Sequence, residues 1–185
     1  MDFDELQRKL EKVNVRTAAL YGGIVLLVLF ANPRWWSCLL GIVPVAAGEA
    51  LRIWATGHLR KNEELTTSGP YAHLQSPLYL GSYLIGTGLC IMALNSVIWI
   101  IGSLVFFLSY IPRKQETEWG RLERRFGEEF LKYKREVNYF IPRLDPYPEG
   151  SKHLWSFAQV IENTEHQTAL VVGLIALFIV ARLAW

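Results

Sequence analysis

The sequence predicts an all-α, integral membrane helical bundle, and three observations carry that expectation. Five apolar runs (Leu20 to Ala31, Trp35 to Ala55, Leu78 to Leu94, Ser96 to Pro112 and Thr168 to Trp185) approach the ~20 residues a helix needs to cross ~30 Å of hydrocarbon. Sixteen of the 19 basic residues lie in the N-terminal segment, the loop after the second run, and the stretch between the fourth and fifth runs. Turn-formers and charges gather at the ends of the runs rather than along them. With 185 residues, the chain has room for one membrane domain over 1–185 and no separate soluble module.

Phe3, Leu6, Leu10 and Val13 recur at helical spacing among charges, which predicts an interfacial amphipathic helix over residues 1–16. No small-residue cleavage site follows the first run, so no secretory signal is expected. Asn32, Pro33 and Arg34 make a tight turn into the second run, with Trp35 and Trp36 at interfacial depth. Asn95 is nearly the whole connection between the third and fourth runs, which makes those two an antiparallel hairpin. Beyond Pro112, one face of a long helix is marked by Trp119, Leu122, Phe126, Phe130, Tyr133 and Val137. Pro142, Pro146 and Pro148 end that helix in an extended linker. Leu154, Trp155, Phe157 and Ile161 predict a short interfacial helix before the final span over 168–185. The charge split places the N-terminus and both polar segments in the cytoplasm and the C-terminus outside. A net charge of +2 gives no reason to expect a nucleic-acid partner.

Chemistry has few places to sit in such a chain. Glu49 and Arg52 stand one turn apart inside the second run; an ionisable group at that depth is either functional or neutralised by its neighbour, and both readings stay open. The Ser68–Gly69–Pro70 turn leads through Tyr71, His73, Leu74, Gln75 and Ser76 to Pro77, a first-turn proline. Tyr79, Gly81, Gly86 and Gly88 follow on that helix, where small residues serve close helix contact more often than ligand approach. Gln75 and Ser76 suit a helix cap. Glu116 and Glu118 open the long helix, and Tyr133, Lys134 and Arg135 near its end suit an anionic group or anionic lipid. Cys38 and Cys90 are isolated in apolar runs, so no metal site is expected.

Three segments in order carry a resemblance: GEALRIWATGHLRKNEELTTSGPY, HLQSPLYLGSYLIGTG and ETEWGRLERRFGEEFLKYKREVNYFIP. Together they resemble the isoprenylcysteine carboxyl methyltransferase and phospholipid methyltransferase family of integral membrane enzymes, over a core of residues 48–142. The chain departs from the pattern twice: Gln75-Ser76 stands where the family commonly has Arg-His, and Glu118-Trp119 where it has Glu-Glu.

The resemblance implies about five membrane helices, a cofactor pocket formed by the cytoplasmic helix of the C-terminal half, and transfer of a methyl group from S-adenosylmethionine to a lipid or lipid-modified acceptor. It implies cofactor contacts at Tyr71, His73, Leu74, Gln75, Ser76, Pro77, Tyr79, Gly81, Gly86, Gly88 and Glu118. Arg52 and Glu118 are expected to serve catalysis, and Glu49, Arg52, Tyr133 and Arg135 to meet the acceptor. A prenylcysteine carboxylate, a phosphatidylethanolamine-type amine and a phenolic lipid are all acceptable acceptors, and the chain is expected to act as a monomer or weak oligomer. Two rivals remain. Membrane sterol reductases use NADPH and resemble Arg-His-Pro-Asn-Tyr-x-Gly-Glu, whereas Leu78 precedes Tyr79 here and Ser82 follows Gly81. A non-catalytic membrane homologue is the other.

Overall fold

The computed structural model describes residues 22–61 and 64–184, and every regular element among them is helical. Helix α1 is described over 22–29. It is followed by α2 (Trp35–His58), α3 (Pro77–Met92), α4 (Ser96–Val105), α5 (Ile111–Glu136), α6 (Phe157–Glu162) and α7 (Glu165–Ala181). A π turn, Phe106–Tyr110, joins α4 to α5, and a 3-10 turn, Gly69–Ala72, lies between α2 and α3. The interfacial helix expected over 1–16 lies outside the described residues.

Among the described residues three stretches are long and apolar enough to cross a membrane: Trp35–His58, the helix running from Ser96 to Glu136, and Glu165–Ala184. Helix α3 is apolar but has 16 residues, about 24 Å at the α-helical rise. The last helix starts at Glu165 rather than Thr168, which draws an acidic residue into the bundle.

The centre of the bundle is the antiparallel pair α2–α3, and glycines set its spacing. A Cβ on Gly41 would stand 2.5 Å from the Gly88 carbonyl oxygen, and one on Gly88 would stand 2.6 Å from that of Gly41. Seven residues along each helix, Gly48 and Gly81 repeat the arrangement, with Gly48's Cβ position 2.6 Å from the Gly81 oxygen. Two backbones lie nearly in contact along a heptad-spaced seam. Val45, Ile85, Leu89 and Met92 fill the core beside it, with Leu27 from α1 and Ile179 from α7.

At the end of the seam near Met92, the turns are stapled: Asn32 N donates to Ala93 O at 3.0 Å, and Ser37 Oγ to Met92 O at 3.0 Å. Asn95 caps α4 by accepting from Ile98 N at 3.0 Å, as its place in the hairpin leads one to expect.

At the opposite end a second core forms from Leu65, Ala72, Phe130, Tyr133, Val137 and Tyr147, with Trp119, Leu122 and Phe126 against it. The single long helix expected from the apolar stripe is corrected here. Gly127 has φ 51° and ψ −124°, a conformation reserved for glycine, and it breaks α5 into two arms. Lys134 Nζ lies 3.8 Å from the centre of the Trp119 ring. In an unbroken helix those positions are about 22 Å apart along the axis, so the arms fold toward each other.

Candidate active site

A cavity of about 270 Å³ lies between the arms of α5, the end of α2 with its following loop, and the first turn of α3. Three aromatic side chains and one acid define its polar corner. Glu118 Oε1 accepts from Tyr79 Oη at 2.5 Å and Glu118 Oε2 from Tyr139 Oη at 3.1 Å. Both carboxylate oxygens are thereby oriented by phenols, which fixes the acid without neutralising it. Burial pushes the Tyr139 phenol up from its ordinary value. Burial does the same for Tyr71, with the Glu118 charge as a second cause. Both are neutral at physiological pH.

Tyr71 is 7% exposed and borders this cavity, and its buried hydroxyl has no hydrogen-bond partner. A buried hydroxyl without a partner costs free energy that a bound ligand would return. Arg60, Lys61, Arg121 and Arg125 also line the cavity.

Of the residues the resemblance implicates, Tyr71, Gln75, Ser76, Pro77, Tyr79, Glu118 and Tyr133 line the cavity. Ser76 is the N-cap of α3 by backbone position without a capping side-chain bond, and Pro77 opens the helix as expected. Gln75 does not cap. Its amide nitrogen donates to the Val137 carbonyl, and its oxygen accepts from Trp119 Nε1 at 2.8 Å. Tyr133 contributes its ring, because its hydroxyl donates to Tyr71 O at 2.7 Å.

The other implicated residues lie elsewhere. Gly81 and Gly88 belong to the α2–α3 seam, where any side chain would strike backbone, and Gly86 faces outward with open space around it. His73 turns to the C-terminal linker, its Nδ1 3.0 Å from Arg143 O, and Leu74 is buried away from the cavity. Arg135 is exposed and bonds within its own helix, to Leu131 O.

Of the two readings left open for Glu49 and Arg52, the self-neutralising pair is not formed. Arg52 makes a two-pronged ion pair with Glu165 of α7, Nε to Oε1 at 2.7 Å and Nη2 to Oε2 at 2.9 Å. Its Nη1 donates to Ser82 Oγ at 2.7 Å and Leu78 O at 3.3 Å. Arg52 thus clamps the turn of α3 that carries Leu78 and Tyr79 into the cavity, without lining it. Both carboxylate oxygens of Glu49 are buried without a hydrogen bond.

Sequence reasoning missed Tyr139 and Glu165. Tyr139 sits two residues before the Ile-Pro that ends the third segment, and an acid beside an apolar run signals a functional or paired group without naming its partner. Among the described residues no group of His, Cys, Asp or Glu could hold a metal ion.

The family model for phospholipid methyltransferases matches residues 36–129, half of the chain, and includes most of this cavity. The chain belongs to the phospholipid methyltransferase family. Members of this family are membrane methyltransferases, and with its apolar helices the chain is an integral membrane protein. It is 33% identical over 149 residues to the cobalt-zinc-cadmium resistance protein CzcN of Cupriavidus metallidurans, covering 74% of this chain and 68% of that one. It is 30% identical over 141 residues to the nickel-cobalt-cadmium resistance protein NccN of Alcaligenes xylosoxydans xylosoxydans, covering 71% and 65%. Human protein-S-isoprenylcysteine O-methyltransferase is 31% identical over 119 residues, which span 58% of this chain and 42% of the human protein. No solved structure gives a significant match.

Proposed function

We propose that the protein transfers a methyl group from S-adenosylmethionine to a lipid or lipid-modified acceptor, with a carboxylate of the isoprenylcysteine type as the favoured group. The supporting observation is the polar corner of the cavity: one carboxylate held by two neutral phenols beside an unpartnered buried hydroxyl. The donor set fits the cofactor. Glu118 suits a sulfonium, the aromatic walls suit a base and exclude water, and Tyr71 offers a donor to an oxygen of either ligand. Bound S-adenosylmethionine supplies a methyl group on a cationic sulfur, activated for displacement.

The residues also favour one acceptor class. A phenol or ammonium must lose a proton before it attacks, whereas a carboxylate is already ionised at neutral pH. His73 faces away from the cavity, and Glu118 has both oxygens engaged, so neither is placed as a base. An anionic acceptor also matches the basic lining. Arg52 is a positioning residue in this scheme, acting through Leu78 and Ser82 on the first turns of α3. The charge split argues for a five-span protein with the cavity open to the cytoplasm.

Titrating S-adenosylmethionine and NADPH separately into the detergent-purified protein tests the reading. We expect binding of the first alone, weakened more by Glu118→Ala than by Glu128→Ala on the outer arm of the same helix. Binding of NADPH alone points to a reductase, and binding of neither points to a non-catalytic homologue. Methyl-transfer assays on prenylcysteine, phosphatidylethanolamine and phenolic lipids then separate the acceptors.

A further inference from the structure

The two positions that depart from the family pattern touch each other. Trp119 Nε1 is held by Gln75 Oε1 at 2.8 Å, and Gln75 is itself fixed by the Val137 carbonyl. Lys134 Nζ sits 3.8 Å from the indole centre, brought there by the bend at Gly127. Tyr139 meets the indole at 87° with 6.0 Å between ring centres, so the two rings make a corner of the cavity.

An indole pinned at its N–H and capped by a cation has little rotational freedom left to lose on binding. The ammonium also draws π density toward itself. A second cation on the ring would meet like charge and a weakened quadrupole, whereas a neutral, electron-rich planar group stacks well. Glu118, one residue earlier, offers the opposite: a localised negative charge without a flat surface.

We propose that Trp119 is a stacking platform for the planar base of an adenosyl ligand, with Gln75 and Lys134 as its positioning residues, while the ligand's positive charge is left to Glu118. The inference rests on the methyltransferase reading and gives that cavity an internal division of labour.

Calorimetric titration of the whole detergent-purified protein with adenosine, S-adenosylhomocysteine and S-adenosylmethionine tests it, since all three carry the base and only the last carries the sulfonium. Trp119→Ala is expected to weaken all three by a similar factor, about ten- to hundredfold. Trp119→Phe, which keeps a ring, is expected to retain most of the affinity. Glu118→Gln is expected to weaken S-adenosylmethionine and spare S-adenosylhomocysteine. Unchanged S-adenosylhomocysteine affinity in Trp119→Ala, or a loss confined to S-adenosylmethionine, overturns the platform and leaves the methyltransferase reading standing. A wild-type protein that binds none of the three overturns both.

Discussion

The two ends of the α2–α3 pair are built on opposite principles. Along the seam, Gly41 against Gly88 and Gly48 against Gly81 bring backbones so close that no side chain fits between them. At the end that carries the cavity, side chains keep the elements apart, and the polar atoms include one that is buried and unpartnered, the Tyr71 hydroxyl. The seam leaves nothing for a ligand to do, whereas the cavity holds hydrogen-bonding capacity in reserve. Glycines of the seam and tyrosines of the cavity both stood among the expected cofactor contacts, so residue type alone does not separate structure from function. The distance between the backbones does.

The joint between the two regions is the Arg52–Glu165 pair, and breaking it carries the largest expected effect. Glu165 is 2% exposed, so Arg52→Met strands a buried carboxylate. We expect a loss of about 3–5 kcal/mol, read as a lower thermal unfolding midpoint in detergent. The paired variant Arg52→Met/Glu165→Met should recover most of that loss. If the paired variant is as unstable as the single one, the contribution lies in the arginine's bonds to Leu78 and Ser82 rather than in charge.

The seam comes next. Gly88→Ala places a methyl group 2.6 Å from the Gly41 oxygen and should cost about 1–3 kcal/mol through forced separation of the helices. Gly86→Ala, two residues away in open space, should be neutral or stabilising by up to about 1 kcal/mol. Equal melting temperatures for the two variants would count against the seam.

That pair of glycines also shows what was legible in the sequence. Apolar runs, the first-turn proline and the Asn95 hairpin were all readable, because hydropathy and helix caps act locally. Gly86-Thr87-Gly88 read by residue type as a contact stripe and by the resemblance as a ligand contact, and only the antiparallel register against Gly41 decides it. The Trp119–Val137 stripe gave the right buried face but the wrong shape. The broken helix depends on one glycine with positive φ, and Phe-Gly within a helical pattern reads as a tolerated residue until tertiary contacts are known. The choice of Glu165 over Glu49 as the partner of Arg52 was invisible for the same reason: the winning contact spans 113 residues of chain.

Gly127 therefore offers a test confined to the cavity region. A Cβ there meets nothing within 4 Å, so the cost of Gly127→Ala comes from backbone conformation alone, about 1–3 kcal/mol. Straightening α5 would also draw Lys134 from Trp119. We expect weaker S-adenosylmethionine binding with the Arg52–Glu165 joint intact. A variant that binds normally would show that the bend is tolerated rather than required.

The smallest expected change in stability sits at Tyr71 and sharpens the comparison most. A side chain that only filled space would behave like the seam, where any alteration costs folding energy. Tyr71→Phe keeps the ring in its buried place and removes a hydroxyl that has no hydrogen-bond partner. Removing a buried, unpaired donor relieves a desolvation penalty, so the unfolding midpoint should hold or rise slightly. Ligand affinity should move the other way, because the hydroxyl is the group left to meet an acceptor oxygen. One neutral hydrogen bond of about 1 kcal/mol corresponds to a fall of roughly fivefold. Measured together, unfolding and S-adenosylmethionine or acceptor binding give opposite signs if the hydroxyl is held for a ligand. A drop in stability with unchanged binding to both would mean that Tyr71 belongs with the seam glycines, as a structural residue that happens to border a cavity.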